Sequence, residues 1–160
     1  MDIIEATPSH LEDILRLNMG VQQMHVEHEP DYFRPFERNA VREFFSPFFE
    51  DRAVTILLAM ADGRTVGYAV VRIYEKPGHA FALARKYAEL DQITVDPAYR
   101  GRGFGRALVE RAIAVARDNG CRSMELGVWE FNQEAQSVFR HCGFEPCFHR
   151  MRVVDRDNED

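Results

Sequence analysis

Apolar positions change period several times along the chain, and those changes divide it into elements. Asp2 to Ala6 reads as a short first strand. Thr7-Pro8-Ser9 then opens a helix, a hydroxyl cap with proline at an early position where its missing N–H costs little. Leu11, Ile14, Leu15 and Asn18 recur at helical spacing, and Val21, Gln22 and Met24 continue the stripe to about His28, with Pro30 as the stop. A loop from Glu29 to Pro35 carries Tyr32 and Phe33. A second helix over Glu37 to about Glu50 presents Val41, Phe44, Phe45 and Phe48 on one side, and Pro47 should break or kink it.

The period then becomes that of strands. Val54 to Ala61 is apolar and β-branched, Asp62-Gly63 is a two-residue hairpin signal, and Arg64 to Glu75 returns as the partner. A loop opened by Lys76-Pro77-Gly78 precedes a fourth strand over Lys86 to Val95. Helical spacing resumes from about Gly103 to Asn119, with Leu108, Ala112, Val115 and Ala116 on one stripe and Gly120 as a left-handed stop. Ser123 to Trp129 alternates as a half-buried strand. Asn132 to Cys142 reads as the last helix, Phe144 to about Val153 as the last strand, and Arg156 to Asp160 as a polar tail beyond a single domain spanning 1–155.

The densest chemical signal lies where the fourth strand meets the helix after it. Asp96-Pro97 ends the strand, because Pro97 has no N–H and restricts Asp96 to extended conformations. Gly101, Gly103 and Gly105 leave a run of main-chain N–H groups uncovered, at the start of a helix whose first turn has unpaired donors. Arg100, Arg102 and Arg106 add positive charge. This suits a phosphate or pyrophosphate held by main-chain donors. Two common motifs fail on spacing. G-x-G-x-x-G counted from Gly101 and Gly103 ends on Arg106, and no Gly-Lys pair exists for a P-loop.

Composition narrows the partners. With 160 residues, 46% hydrophobic and 29% charged, the chain has ordinary globular values. A net charge of −6 argues against nucleic acid and is compatible with a cationic substrate. No apolar run is long enough to span a bilayer and no charged-then-apolar leader is read. Cys121, Cys142 and Cys147 form no C-x-x-C pair, so neither a disulfide framework nor a zinc site is expected and a reducing cytoplasm is the default.

Arg100-x-x-Gly103-x-Gly105, preceded by Val95-Asp96-Pro97-x-Tyr99, resembles the acetyl-CoA signature of the GNAT N-acetyltransferases. Asn132-x-x-Ala135, then Phe139, then Gly143-Phe144 looks like the C-terminal motif of that family, and the resemblance is specific over residues 87 to 151. It implies an α/β fold of order βααβββαβαβ: a mixed, mostly antiparallel sheet of six to seven strands flanked by about four helices. The fourth and fifth strands are expected to splay and open a slot for acetyl-CoA. The resemblance places Ile93, Thr94 and Val95 beside the cofactor, with a main-chain N–H near Val95 meeting the thioester oxygen. It lays the pyrophosphate on Gly101, Arg102, Gly103, Phe104, Gly105 and Arg106, with Arg100 as a further partner. Asn132 would bond the pantetheine arm or cap the last helix, and both roles are compatible. Dimers are common among such relatives.

Acetyl transfer needs a neutral amine, a polarised thioester oxygen and a proton for the departing thiolate. Strand alternation puts Glu89, Asp91, Ile93 and Val95 on one face, where repulsion between two ionised carboxylates raises the pKa of one of them. Glu89 also stands where histone-acetylating members of the resembled family place their glutamate. It is therefore the candidate general base, directly or through a water; the alternative is a solvated or salt-bridged strand carboxylate. Where the family motif commonly has a proton-donating tyrosine, this chain has Phe139, which packs but donates nothing. Solvent or Cys142 would supply that proton. The acceptor side would draw on His28, Tyr32, Phe33, Asp91 and Trp129, with acidic groups for an ammonium and rings for its carbon chain. His25 and His28 lack a third ligand at a recognisable spacing, so no metal is expected.

Two functions from different classes follow. The first is an N-acetyltransferase moving the acetyl group of acetyl-CoA to a primary amine, on a small molecule or a protein. The second is a non-catalytic acyl-CoA-binding sensor or interaction module, which Phe139 favours. A nucleotide-binding enzyme is disfavoured by the failed spacings.

Overall fold

The computed structural model describes residues 1–154, so the expected tail at 156–160 and the last residue of the 1–155 domain lie outside the described residues. The strands are β1 (Asp2–Glu5), β2 (Val54–Ala61), β3 (Arg64–Lys76), β4 (Arg85–Val95) and β5 (Met124–Glu125). The helices are α1 (Leu11–His28), α2 (Arg38–Phe45), α3 (Phe104–Asp118) and α4 (Gln133–His141). One sheet runs β1-β2-β3-β4-β5, antiparallel except for the parallel β4–β5 pair. The mixed α/β class and the order through α4 agree with the sequence reading, with five strands among the described residues. No helix among those residues is long and apolar enough to cross a membrane.

Alternation in the central strands builds two cores. Leu57, Ala69, Val71, Ala88 and Leu90 face α3 and α4, against Leu108, Val109, Ala112 and Phe139. Ile56, Leu58, Tyr68 and Val70 face α1 and α2, against Ile14, Leu17, Phe45 and Phe48. The hairpin forms as its residues require: Asp62 and Gly63 both take positive φ, 51° and 72°.

Four boundaries differ from expectation. Thr7-Pro8-Ser9 begins a 3-10 turn, Pro8–His10, before α1. The helix expected from Glu37 to Glu50 ends at Phe45, and Ser46–Phe49 continues as a 3-10 turn around Pro47, which has no N–H to give an α-helical bond. Glu37 instead caps α2, its carboxylate accepting from the N–H groups of Asn39 and Ala40. The strand expected over Ser123 to Trp129 shrinks to Met124–Glu125. Phe144 to Val153 forms no strand, and residues 145–154 are exposed. A strand needs a neighbour, and β5 pairs with β4 only at Ala88↔Met124 and Glu89↔Glu125 before turning away.

Candidate active site

The turn at the end of β4 is built by its own sequence. The Asp96 carboxylate accepts from the Ala98 N–H at 3.0 Å and starts the 3-10 turn Pro97–Tyr99. Gly101 and Gly103 then take φ of 71° and 87°, a region costly to residues with a Cβ. Gly103 is the N-cap of α3 and has no side chain to cover the first turn, whose first α-helical bond is Ala107 N–H to Gly103 O at 3.0 Å. The amides before it point outward as donors. Arg102 lies over Tyr99, with 5.1 Å to the ring centre, Arg106 pairs with Glu110 at 2.7 Å, and Arg100 donates to Val95 O at 3.3 Å. Arg100 also reaches Glu134 at 3.7 Å, so it spans from β4 to α4. On the other side Arg16 donates to Thr65 O at 2.7 Å and lies 3.4 Å from Asp96, docking α1 beside the turn. Between them is a groove of about 230 Å³, lined by Leu17, Gly20 and Val21 of α1 and by Thr94, Val95, Asp96 and Arg100.

β4 carries a bulge that changes which residues share a face. Val70 pairs with Gln92 and Val71 with Leu90, so Asp91 is the extra residue. Ala88 and Leu90 pack on the α3 side, and so do Ile93 and Val95. The expected shared face of Glu89, Asp91, Ile93 and Val95 is therefore wrong beyond the bulge, where the alternation loses one step. Glu89, across from Arg72, faces the α1–α2 side with Asp91 and Gln92. The main chain shows the same change of phase. Ala88 N–H bonds Ser123 O on the β5 side, whereas Asp96 N–H bonds Val66 O on the β3 side. Alternation back from Asp96 aims the Val95 and Ile93 N–H groups at the edge that β5 has left.

Glu89 sits where that edge opens. Burial raises its pKa first, then the negative charges of Asp91 and Glu125; Arg72 and Lys76 pull the other way. Further along the strand, past the bulge, the Asn18 amide donates to the Tyr68 hydroxyl at 2.9 Å, and that hydroxyl donates to Gln92 Oε1 at 2.9 Å. Burial pushes the Tyr68 pKa up and keeps the hydroxyl a donor. This network joins α1 to β3 and to β4 beside the bulge.

Two turns further along α1, aromatic rings tie its end to the chain leaving β5. His25 stacks on Phe33 with ring centres 4.6 Å apart, His28 on Phe131 at 4.2 Å, and Trp129 lies edge-on to Tyr32 and Phe33 at 5.2 and 5.4 Å. His28 Nδ1–H donates to Met24 O at 2.9 Å, which fixes its tautomer. Burial and the neighbouring His28 lower the His25 pKa. Gln22 holds the loop through Arg34 O at 2.6 Å.

The Acetyltransferase (GNAT) family matches residues 21–144. The chain belongs to the GNAT acetyltransferase family. It is 30% identical over 146 residues to an aminoglycoside N(6′)-acetyltransferase type 1 from Stenotrophomonas maltophilia, covering 89% of this chain and 85% of that one. A 61-residue stretch is 44% identical to an uncharacterized N-acetyltransferase of Methanocaldococcus jannaschii, covering 38% of this chain and 27% of that protein. Among solved structures, a tetramutant of the BH1408 protein from Bacillus halodurans matches with TM-score 0.91 and 25% identity, over 96% of this chain and 99% of that one. The aminoglycoside N-acetyltransferase AAC(6′)-Iy in complex with the bisubstrate analogue CoA-S-monomethyl-acetylneamine matches with TM-score 0.69 and 25% identity, over 97% of each chain.

In this GNAT fold the expected residues form two groups. Thr94, Val95 and Arg100 line one groove, next to Gly101 to Arg106. His28, Tyr32, Phe33 and Trp129 form one aromatic cluster, and Asp91 lies apart from it, 3.7 Å from Arg72. Asn132 caps α4, accepting from Ala135 N–H at 3.1 Å, and Phe139 is core, 7% exposed, against Phe144. Sequence reasoning gave no site role to Arg72, Gln92, Asn18, Tyr68 or Phe131. No motif marks them, because their roles come from partners distant in sequence. Among the described residues no group of three or more His, Cys, Asp or Glu is arranged to hold a metal.

Proposed function

We propose that this GNAT protein is an acetyl-CoA-dependent N-acetyltransferase that moves the acetyl group to a primary amine by direct attack in a ternary complex. The observation that carries the proposal is the parting of β4 and β5 immediately after Glu89, with outward main-chain donors at Ile93 and Val95 and a bare-amide turn at the strand's end. The turn fits a diphosphate: its amides are uncovered, and Arg102 has no carboxylate partner among the described residues. The thioester oxygen would lie on the Val95 N–H, which stabilises the charge that develops there. Glu89 would take the proton from the ammonium, directly or through a water, and its raised pKa makes it a better match for that proton than an ordinary carboxylate. The amine then attacks the thioester carbon, and the C–S bond breaks. Solvent returns a proton to the thiolate, because Phe139 has none to give and a free thiol has a pKa of only about 8.5.

The acceptor would enter between the aromatic cluster and Glu89. Tyr32, Phe33 and Trp129 suit the carbon frame of a cationic amine. Incubation with acetyl-CoA and a panel containing aminoglycosides, thialysine and polyamines should release free thiol with at least one amine. Tight CoA binding without thiol release from any amine would favour the sensor reading instead, which Phe139 supports.

A further inference from the structure

Arg72 stands directly across the β3–β4 ladder from Glu89. Its guanidinium is held 4.4 Å from the centre of the Phe48 ring. Its Nε lies 3.7 Å from Asp91 Oδ2, near enough for charge attraction and too far for a hydrogen bond. That Nε is buried, and no described residue accepts from it. Asp91 is the residue that the bulge squeezes out of the ladder, since Gln92 takes the place across from Val70. Two opposite charges thus stand beside Glu89, one fixed on a ring and the other displaced from the ladder.

We propose that Arg72 and Asp91 are positioning residues for Glu89 that act in opposite senses: Arg72 favours its ionised carboxylate and Asp91 its protonated one. This rests on the reading that Glu89 receives the amine's proton. The other charges facing Glu89 are Lys76 of β3 and Glu125 of β5. Glu125 is ion-paired with Arg85 and still adds to the negative charge around Glu89. Lys76 is exposed and its ammonium lies 5.5 Å from the Tyr87 ring centre. The contribution from the Ser46–Phe49 turn is the uncharged ring of Phe48. Arg72 is therefore the one of these two cations that packs on Phe48, and Asp91 the anion whose nearby cation, 3.7 Å away, is Arg72 itself.

The proposal makes the two substitutions move one titration in opposite directions. The side-chain carboxyl of ¹³C-labelled Glu89 would be titrated by NMR, its signal identified by its loss in Glu89→Gln. Asp91→Asn should lower the midpoint by about half to one pH unit, and Arg72→Gln should raise it by a similar amount. Arg72→Lys should stay near the parent, and the double variant Asp91→Asn/Arg72→Gln should fall between the single variants. With a substrate amine, the acid limb of kcat/KM should move by the same amounts. Loss of packing alone would lower rates without separating the midpoints. Displacement in the same direction, or none, overturns the proposal. Opposite displacements by NMR with an unmoved pH–rate profile would uphold the charge pairing and remove Glu89 from the mechanism.

Discussion

Glu89 and Phe139 represent two different residue-scale problems. The role proposed for Glu89 depends on its surroundings, because a half-exposed carboxylate becomes a useful base only when burial and neighbouring charge raise its pKa. Glu89→Gln keeps the shape and cannot accept a proton, so kcat/KM should fall by about a hundredfold or more at neutral pH and lose its acid limb. An unchanged rate and profile would assign the proton transfer elsewhere. Phe139 lacks a function that its position suggests. It is 7% exposed and packed against Phe144, so it behaves here as a core residue. Phe139→Tyr should retain activity and can raise it by adding a proton donor. Buried without a partner, the new hydroxyl would lower stability by about 1–3 kcal/mol, readable in a denaturant titration. A variant that is folded, inactive and unable to bind acetyl-CoA would mean that residue 139 does not lie beside the sulfur.

At the scale of elements, β4 is held in place by close approaches on both sides. On one side Gly67 of β3 lets the strands meet: a Cβ there would come within 2.8 Å of Thr94 O, 3.2 Å of Val95 and 3.3 Å of Leu108. Gly67→Ala should therefore destabilise the fold by about 1–3 kcal/mol, and it should also weaken CoA binding because it displaces Thr94 and Val95, the residues proposed to lie under the cofactor. Chemical denaturation and calorimetry would separate the two effects. On the other side, α1 is tied to the chain after β5 through the stacked imidazoles. The folded protein favours neutral His25, so the unfolded chain takes up that proton first as pH falls. The resulting stability is complete above the free imidazole value of about 6.5 and is lost as pH drops through the depressed one. His25→Phe keeps the ring on Phe33 without the proton, so its Tm should fall less than the parent's between neutral pH and pH 5. Parallel Tm curves would show that His25 does not contribute to the pH dependence.

The described residues form a sheet between two separate cores, with the candidate site where the sheet opens. α3 is fixed by one core, α1 and α2 by the other, and the groove between α1 and the end of β4 is bordered by both. A ligand bridging them should stabilise the fold as a unit. At a hundred times its Kd, CoA should add about 2.7 kcal/mol and raise the Tm by roughly 5–10 °C in differential scanning calorimetry. No shift at saturating CoA would show that the folded protein does not bind it.

What the sequence determined by itself was everything that acts over a few residues. Periodicity gave α1 and β2 to β4, Asp62-Gly63 specified its turn, and Gly101 and Gly103 specified a left-handed path that leaves donors exposed. These signals are local because they depend on a residue's own backbone preferences and on neighbours within one turn or one pleat. The tertiary structure alone decided the rest. The bulge at Asp91 moved Ile93 and Val95 off the face of Glu89, yet nothing in Leu-Asp-Gln-Ile announces it, because it exists only in the register with β3. The early departure of β5 left Phe144 to Val153 without a strand to pair with. The meeting of Arg72 with Glu89 and Asp91, and of His25 and His28 with Phe131, joins different elements of the chain. Such contacts depend on how the packed sheet brings distant segments together, which no short stretch of chain encodes.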